Sequence, residues 1–393
     1  MSTVDVVVTG MGATTPLGGD VASTWDGLIA GRNGIRLNEA EWVSKFDLPT
    51  KLSAPLAVEP SEVLPRVQLR RLDRCEQIAI IAAREAWADA GFVPPTEESQ
   101  SVDPERLGVA IGTGIGGPVT LLDQDDLLEN QGLRKVSPLT VPMLMPNGPA
   151  AHVSIELMAR AGVHSPASAC ASGAEGLATG WQMIKSGRAD VVVAGGAEAC
   201  IHQITVAGFA QSRTLSLRND EPDRASRPFD VDRDGFVLGE GAGVLVLERE
   251  DHARARGARI YGTLESILSG RAWRKGDSLA TALKDMLGKI AGGSEPLLAV
   301  SGASGAHAVT AVEAAALAER GEIAARGFST LTGHMKEAQF VFAVALAALA
   351  VSHRQAFPPF DASEAAFAAE PAKVLATAVG YHHFEGMALV SQG

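Results

Sequence analysis

The chain has 393 residues, 46% of them hydrophobic and 20% charged, with a formal net charge of -12. This composition builds a sizeable core and excludes a disordered chain; the length suits two or three domain-sized units or one large pair. The acidic balance argues against a nucleic-acid or membrane-surface binder, because phosphate contacts need clustered Lys and Arg.

In chain order, VDVVVTG (4–10) reads as a buried strand, and the chain enters it without the charged and apolar segments of a signal peptide. PRVQLRRLDRCEQ then gathers Arg66, Arg70, Arg71 and Arg74, a solvated helix face first and a receptor for an acidic partner second. CEQIAIIAAREAWADAG (75–91) predicts a helix that stops at a glycine. LGVAIGTG (107–114) predicts a strand running into GTGIGG (112–117). That hexapeptide satisfies GxGxxG, but Pro118 follows at once and glycine is abundant. Close backbone passage at Gly112, Gly114, Gly116 and Gly117 is the better reading than a dinucleotide site.

CASGAEGLATGWQMIKSG (170–187) predicts a helix with Cys170 at its start, and DVVVAGG (190–196) a strand. In DVDRDGFVLGEGAGVLVLE (230–248), Asp230, Asp232 and Asp234 mimic the opening of a calcium loop, yet Gly241 stands where its twelfth-position Glu belongs. GAGVLVLE (241–248) is a strand. The order of elements then recurs: strand YGTLES, a helix over 278–290, strand PLLAVSG (296–302), helix TAVEAAALAERG, a helix over 335–351, and strands KVLATAV (373–379) and GMALVSQ. FVFAVALAALAV (340–351) is too short to span a bilayer and reads as a buried helix. Such alternation means an α/β protein with sheets covered on both faces.

Cys75, Cys170 and Cys200 make no disulfide framework, and no CxxC or Cys/His cluster suggests a metal. A reducing, cytoplasmic setting follows. On local residues alone, Cys170 between small residues suits core filling as well as a thiolate at a helix N-terminus.

SACASG around Cys170, VSPLTVPMLMPN (136–147), SGRADVVVAGGAEA (186–199) and SRPFDVDRDGFVLGEGAGVLVLE (226–248) carry a family pattern, dense over roughly residues 3 to 265. Together they resemble the elongation-type β-ketoacyl-acyl-carrier-protein synthases of the thiolase superfamily. The resemblance implies the thiolase fold: two pseudo-symmetric halves in an α-β-α-β-α five-layer arrangement. The N-terminal half, 1–255, carries the nucleophilic Cys, and the C-terminal half, 256–393, the remaining His and a gating loop. It implies an acyl carrier protein as partner, substrates held on its phosphopantetheine, no cofactor of the chain's own, and a homodimer or a heterodimer with a related ketosynthase. Cys170 matches the nucleophile. In the family two His residues, supported by a Lys and a Glu, stabilise the enolate of a decarboxylating malonyl unit.

The second half departs from this pattern. Counting back from Glu313, which fits the family's Glu, puts Gly302 in the first His slot, and the motif there reads GASGA (302–306). His334, after Gly333, keeps the second His. Ser329 stands where the Lys belongs, and Met335, Lys336, Glu337 and Ala338 replace a small-residue run; Lys336 is not in the Lys slot. In the gating loop GYHHFEG (380–386), Tyr381 takes the Phe position and His382 and His383 the two Gly positions, where either would meet substrate. His307 reads as a surface residue, and the stretch between 262 and 296 is shorter than usual.

The expectation is asymmetric. Acyl transfer to Cys170 needs a thiolate and an oxyanion hole. Decarboxylative condensation needs two donors, and the loss of one costs on the order of 10²–10³ in rate. Three functions follow, of which the third is an ordinary condensing enzyme with a relocated His. The first is an acyltransferase of fatty acid or polyketide biosynthesis, impaired in condensation and handing its acyl group to a non-malonyl acceptor. The second is a chain-length-factor-like subunit that pairs with a complete ketosynthase and shapes its acyl tunnel.

Overall fold

Runs rich in Val, Leu and Ala fold into strands buried on both faces. The computed structural model describes residues 4–271, 278–380 and 384–393. The strands of its large sheet are Val6–Thr14 (β1), Leu107–Gly112 (β2), Gly162–His164 (β3), Val191–Glu198 (β4), Gly241–Arg249 (β5), Gly262–Arg271 (β6), Leu297–Ser301 (β7), Ile323–Gly327 (β8), Lys373–Val379 (β9) and Phe384–Ser391 (β10). They form a ten-stranded sheet in the order β8-β7-β9-β10-β6-β1-β5-β4-β2-β3.

That order contains a repeat invisible in the residues themselves. From the centre outward, β1 to β5 run first, fifth, fourth, second, third, and so do β6 to β10. Directions repeat too: β2 is parallel to β3 and β4, β5 antiparallel to β4 and β1. In the second run β7 is parallel to β8 and β9, and β10 antiparallel to β9 and β6. The runs join where Val7 and Val8 of β1 pair with Thr263 and Gly262 of β6.

Helices Arg74–Asp89 (α1) and Gly148–Leu157 (α2) cover the outer face of the first run. Helix α1 starts at a capping box: Asp73 accepts from the Cys75 N–H, and Glu76 reaches back to the Asp73 N–H. Helices Ser172–Lys185 (α3) and Gln203–Gln211 (α4) follow. Leu279–Ile290 (α5) and His307–Arg320 (α6) lie outside the second run, and Ala338–His353 (α7) is the last described helix. Helices α3 and α7 touch each other and strands of both runs, so they form the middle of five layers. This explains why α7 is apolar all round: every residue from 338 to 351 is buried. Among the described residues no helix is long and apolar enough to cross a membrane.

Candidate active site

Between β3 and α3 the chain makes a tight turn. The Ser172 N–H donates to the Ala169 carbonyl at 2.8 Å, and the Ser172 hydroxyl to the same oxygen at 2.6 Å. The Ser168 N–H in turn donates to Ser172 Oγ at 2.8 Å. Ala169 has φ +53°, a left-handed conformation that a residue with a Cβ adopts only under local constraint. The turn holds Cys170 just ahead of α3. The helix opens at Ser172 with Ala171 as its cap, so Cys170 precedes the first turn instead of opening it, as 170–187 had suggested. Gly173 lets α7 approach: a Cβ there would lie 2.1 Å from the Glu337 carbonyl oxygen.

Cys170 lines a narrow cavity of about 10 Å³ with Phe209 and Phe236, Ser304 and Ala306, Val309, His334, Lys336 and Val379. That is room for about one water. Cys170 is 6% exposed, whereas Cys75 and Cys200 are at 0%. Burial and neighbouring carboxylates raise both of those thiols well above the ordinary value, which makes them packing residues. Half-buried Phe209, on α4, forms one wall and stacks edge-on with Phe236, ring centroids 5.4 Å apart. Phe209→Ala should widen the cavity and speed iodoacetamide labelling of Cys170 several-fold, read by peptide mass mapping; an unchanged rate would mean that this wall does not limit access.

His334 is 4% exposed, with its ring edge-on to Phe236 at 5.4 Å and no partner for Nδ1. Burial, reinforced by the Lys336 charge, pushes its pKa down to about 3, so the ring is neutral at working pH. Lys336, 6% exposed, places Nζ 4.2 Å from the centroid of the Phe209 ring. Burial opposes its charge, but Cys170, Glu337, Cys200 and Glu198 outweigh that and lift its pKa above the lysine value.

Glu198 and Glu337 flank Gly114: a Cβ there would fall 2.1 Å from Glu337 Oε1 and 3.4 Å from Glu198 Oε2. Burial, and for Glu198 the facing Glu337, hold both carboxyls above the usual range, so the pair retains a proton. Glu198 Oε2 accepts from the Gly114 and Ile115 N–H groups at 3.2 and 3.1 Å. The amides of GTGIGG that would cradle a phosphate thus serve the chain's own carboxyl.

Gly302, the position that the resemblance implies for the first His, has no free space beside it. A Cβ on Gly302 would lie 2.6 Å from Gln339 Cγ and 3.1 Å from Ala378 Cβ. Gln339 Oε1 accepts from the Met335 N–H at 2.9 Å, while its Nε2 is buried without a partner. Ser329 donates to the Ala303 carbonyl at 2.5 Å and is fully buried, leaving no space for a lysine side chain. Glu313 Oε1 accepts from Ser301 at 2.7 Å and Thr377 at 2.6 Å; Oε2 has no partner, and burial raises its pKa. His307 opens α6 at the surface. Tyr381, His382 and His383 lie outside the described residues.

Two motifs resolve into structural roles. Asp230 pairs with Arg227 at 3.3 Å, and Asp234 accepts from the Ser216 hydroxyl and the Leu217 N–H. The arginine cluster splits: Arg74 grips Glu240 and Glu59 at 2.6 and 2.7 Å, while Arg66, Arg70 and Arg71 are exposed. Phe209, Glu198 and Gln339 escaped sequence reasoning; the signal for Gln339 was the loss of small residues after His334.

The family pattern described as "Beta-ketoacyl synthase, N-terminal domain" matches residues 3–253. A 3-oxoacyl-[acyl-carrier-protein] synthase 2 of Mycobacterium tuberculosis (strain ATCC 25618 / H37Rv) is 45% identical over 260 residues, which cover 66% of this chain and 61% of the relative. The matched stretch thus spans less than two thirds of that relative's length. A β-ketoacyl synthase from Burkholderia phymatum STM815 superposes with a TM-score of 0.86 at 27% identity, covering 99% of this chain and 100% of that one. A structure described as "The ishigamide ketosynthase/chain length factor" shares the fold at TM-score 0.85 and 24% identity, with both chains covered at 100%. The strained turn that presents Cys170, the five-layer thiolase fold and the matched N-terminal pattern agree: the chain belongs to the β-ketoacyl synthase family.

Proposed function

We propose that Cys170 accepts an acyl chain from a carrier-protein thioester in fatty acid or polyketide synthesis, while decarboxylative condensation is impaired. The observation that carries this is the cavity itself. Among three cysteines only Cys170 lines it, beside a neutral His334 and a cationic Lys336, while Gln339 crowds Gly302, the position read as the first His slot. His334 is suited to hold an oxyanion without taking part in charge transfer. The attack forms the Cys170 thioester and releases the carrier thiol, whose proton comes from solvent. Entry of the pantetheine arm requires the Phe209 or Val379 side of the cavity to move.

Intact-protein mass spectrometry with an acyl-carrier substrate tests the reading. A mass gain on wild type that vanishes in Cys170→Ala supports it. No gain on wild type favours the second reading, a chain-length-factor-like partner of a complete ketosynthase, which the small cavity also suits. Carbon dioxide release from malonyl carrier at ordinary family rates would refute the impairment.

The carrier's landing site on this reading is the exposed trio Arg66, Arg70 and Arg71 around Val67, which is 60% exposed on an otherwise acidic chain. Reversing Arg70 and Arg71 to Glu should slow carrier-dependent acylation at least tenfold and leave labelling by small thiol reagents unchanged. We take 1–255 and 256–393 as the two halves of the repeat. We place the dimer contact, with itself or a related ketosynthase, at β3. That strand is a free sheet edge, and Val163 on it and Ile155 nearby are 46% and 71% exposed. Three free cysteines suit a reducing, cytoplasmic setting.

A further inference from the structure

Lys336 is the least expected group in the cavity. The turn after His334 carries it at φ +55°, a conformation that is costly for a residue with a Cβ. The side chain is 94% buried by the complement of its 6% exposure, and its ammonium lies against the Phe209 face. Among the described residues no carboxylate oxygen lies within 4.0 Å of Nζ. Glu198 and Glu337, which share a proton and one negative charge, act on it only from beyond that distance. The Cys170 sulfur lies on the same cavity wall. A buried cation with no direct partner is costly.

Acylation brings a new group to this wall. The sulfur attacks the thioester carbonyl, a new C–S bond forms at Cys170, the bond to the pantetheine sulfur breaks, and the departing thiolate takes a proton from solvent. The thioester on Cys170 is neutral and gives Lys336 no direct partner. An acyl group that ends in a carboxylate supplies one; one that ends in a methyl group does not.

We propose that this cavity selects short acyl groups bearing a carboxylate of their own, with Lys336 as the residue that receives it. The proposal rests on the acyl-transfer reading and adds the class of acyl group. The competing source of compensation is loss of the proton held between Glu198 and Glu337. That would favour every acyl group alike and erase the selectivity.

The test compares succinyl-pantetheine with butyryl-pantetheine, which match in length and differ in the terminal group. Loading of Cys170 is followed by mass spectrometry in wild type, Lys336→Met and Lys336→Arg. The expected result is succinyl loading at least tenfold faster than butyryl in wild type, retained in Lys336→Arg and lost in Lys336→Met. Equal rates in wild type, or a ratio that Lys336→Met leaves unchanged, overturn the proposal. Should neither thioester load, acyl transfer itself falls. Iodoacetate against iodoacetamide then reports on the cavity alone: a rate ratio that Lys336→Met lowers tenfold upholds the anion site, and an unchanged ratio ends it. Thermal melting of each variant separates loss of selectivity from loss of fold.

Discussion

Gly302→His is expected to destabilise the protein by about 1–3 kcal/mol, the cost of overpacking a filled site. It should also fail to restore condensation. An imidazole here has no room, because Gln339 Cγ sits 2.6 Å from where its Cβ would be. The two positions share one space across the ends of β7 and α7, so that the exchange of a large residue for a small one at 339 makes room for a large one at 302. The double variant Gly302→His with Gln339→Gly should therefore recover most of the stability. It should also raise carbon dioxide release from malonyl carrier by on the order of 10²–10³, the usual worth of one oxyanion donor. Thermal melting and a carbon dioxide assay check both halves. The exchange is refuted if the single variant melts like wild type, or if the double variant decarboxylates no faster than wild type.

This exchange marks the limit of what the sequence shows. Period and composition place β4, β9 and α1 within two residues of their observed ends, because buried β-branched runs and an Asp–Glu capping box are local signals. Strand β8, IAARG, escapes notice because it is short and its Arg326 looks like a surface residue. Yet that side chain is fully buried, and its guanidinium donates to the Phe357 and Ala365 carbonyls at 3.0 and 2.8 Å. The expected nucleophile at Cys170 and the expected vacancy at Gly302 are legible because each has a fixed place in a motif. What fills the vacancy is not, since Gln339 lies 37 positions away and only the packing of α7 against β7 and β9 brings it there. The same holds for Glu198, which β4 carries to the amides of a loop more than eighty residues earlier.

Stability should fall as pH rises from 5 to 8, against the usual behaviour of a protein whose carboxylates are paired. Burial pushes Glu76 up to about 8 and Glu85 up to about 7, and holds Glu198 and Glu337 above the ordinary value as well. A carboxyl whose folded pKa exceeds its unfolded one binds more proton in the folded chain between the two values. The stability it contributes is complete below the unfolded pKa, near 4.5, and is lost as pH climbs to the folded one. Each such buried group removes at most about 1.4 kcal/mol per pH unit in that window. Glu248 and two histidines have the opposite sign. Burial would raise Glu248, but Arg256, His252 and Thr9 hold it below the ordinary value, so its contribution fades only as pH falls in the acid range. His334 and His152, both pushed down by burial, add stability as pH rises to their unfolded value near 6.5 and nothing above it, and they oppose four carboxyls. Glu76 isolates the effect. It is 1% exposed, its Oε2 accepts from the Asp73 N–H at 2.9 Å, and its Oε1 has no partner. Gln at this position keeps the cap and removes the titration. Glu76→Gln should therefore melt higher than wild type at pH 8, by the equivalent of about 2–4 kcal/mol, and within about 1 kcal/mol of it at pH 5. A wild-type melting temperature that is flat or rising from pH 5 to 8 would show that these carboxyls ionise freely in the folded protein. The proton shared by Glu198 and Glu337 would then have to be abandoned.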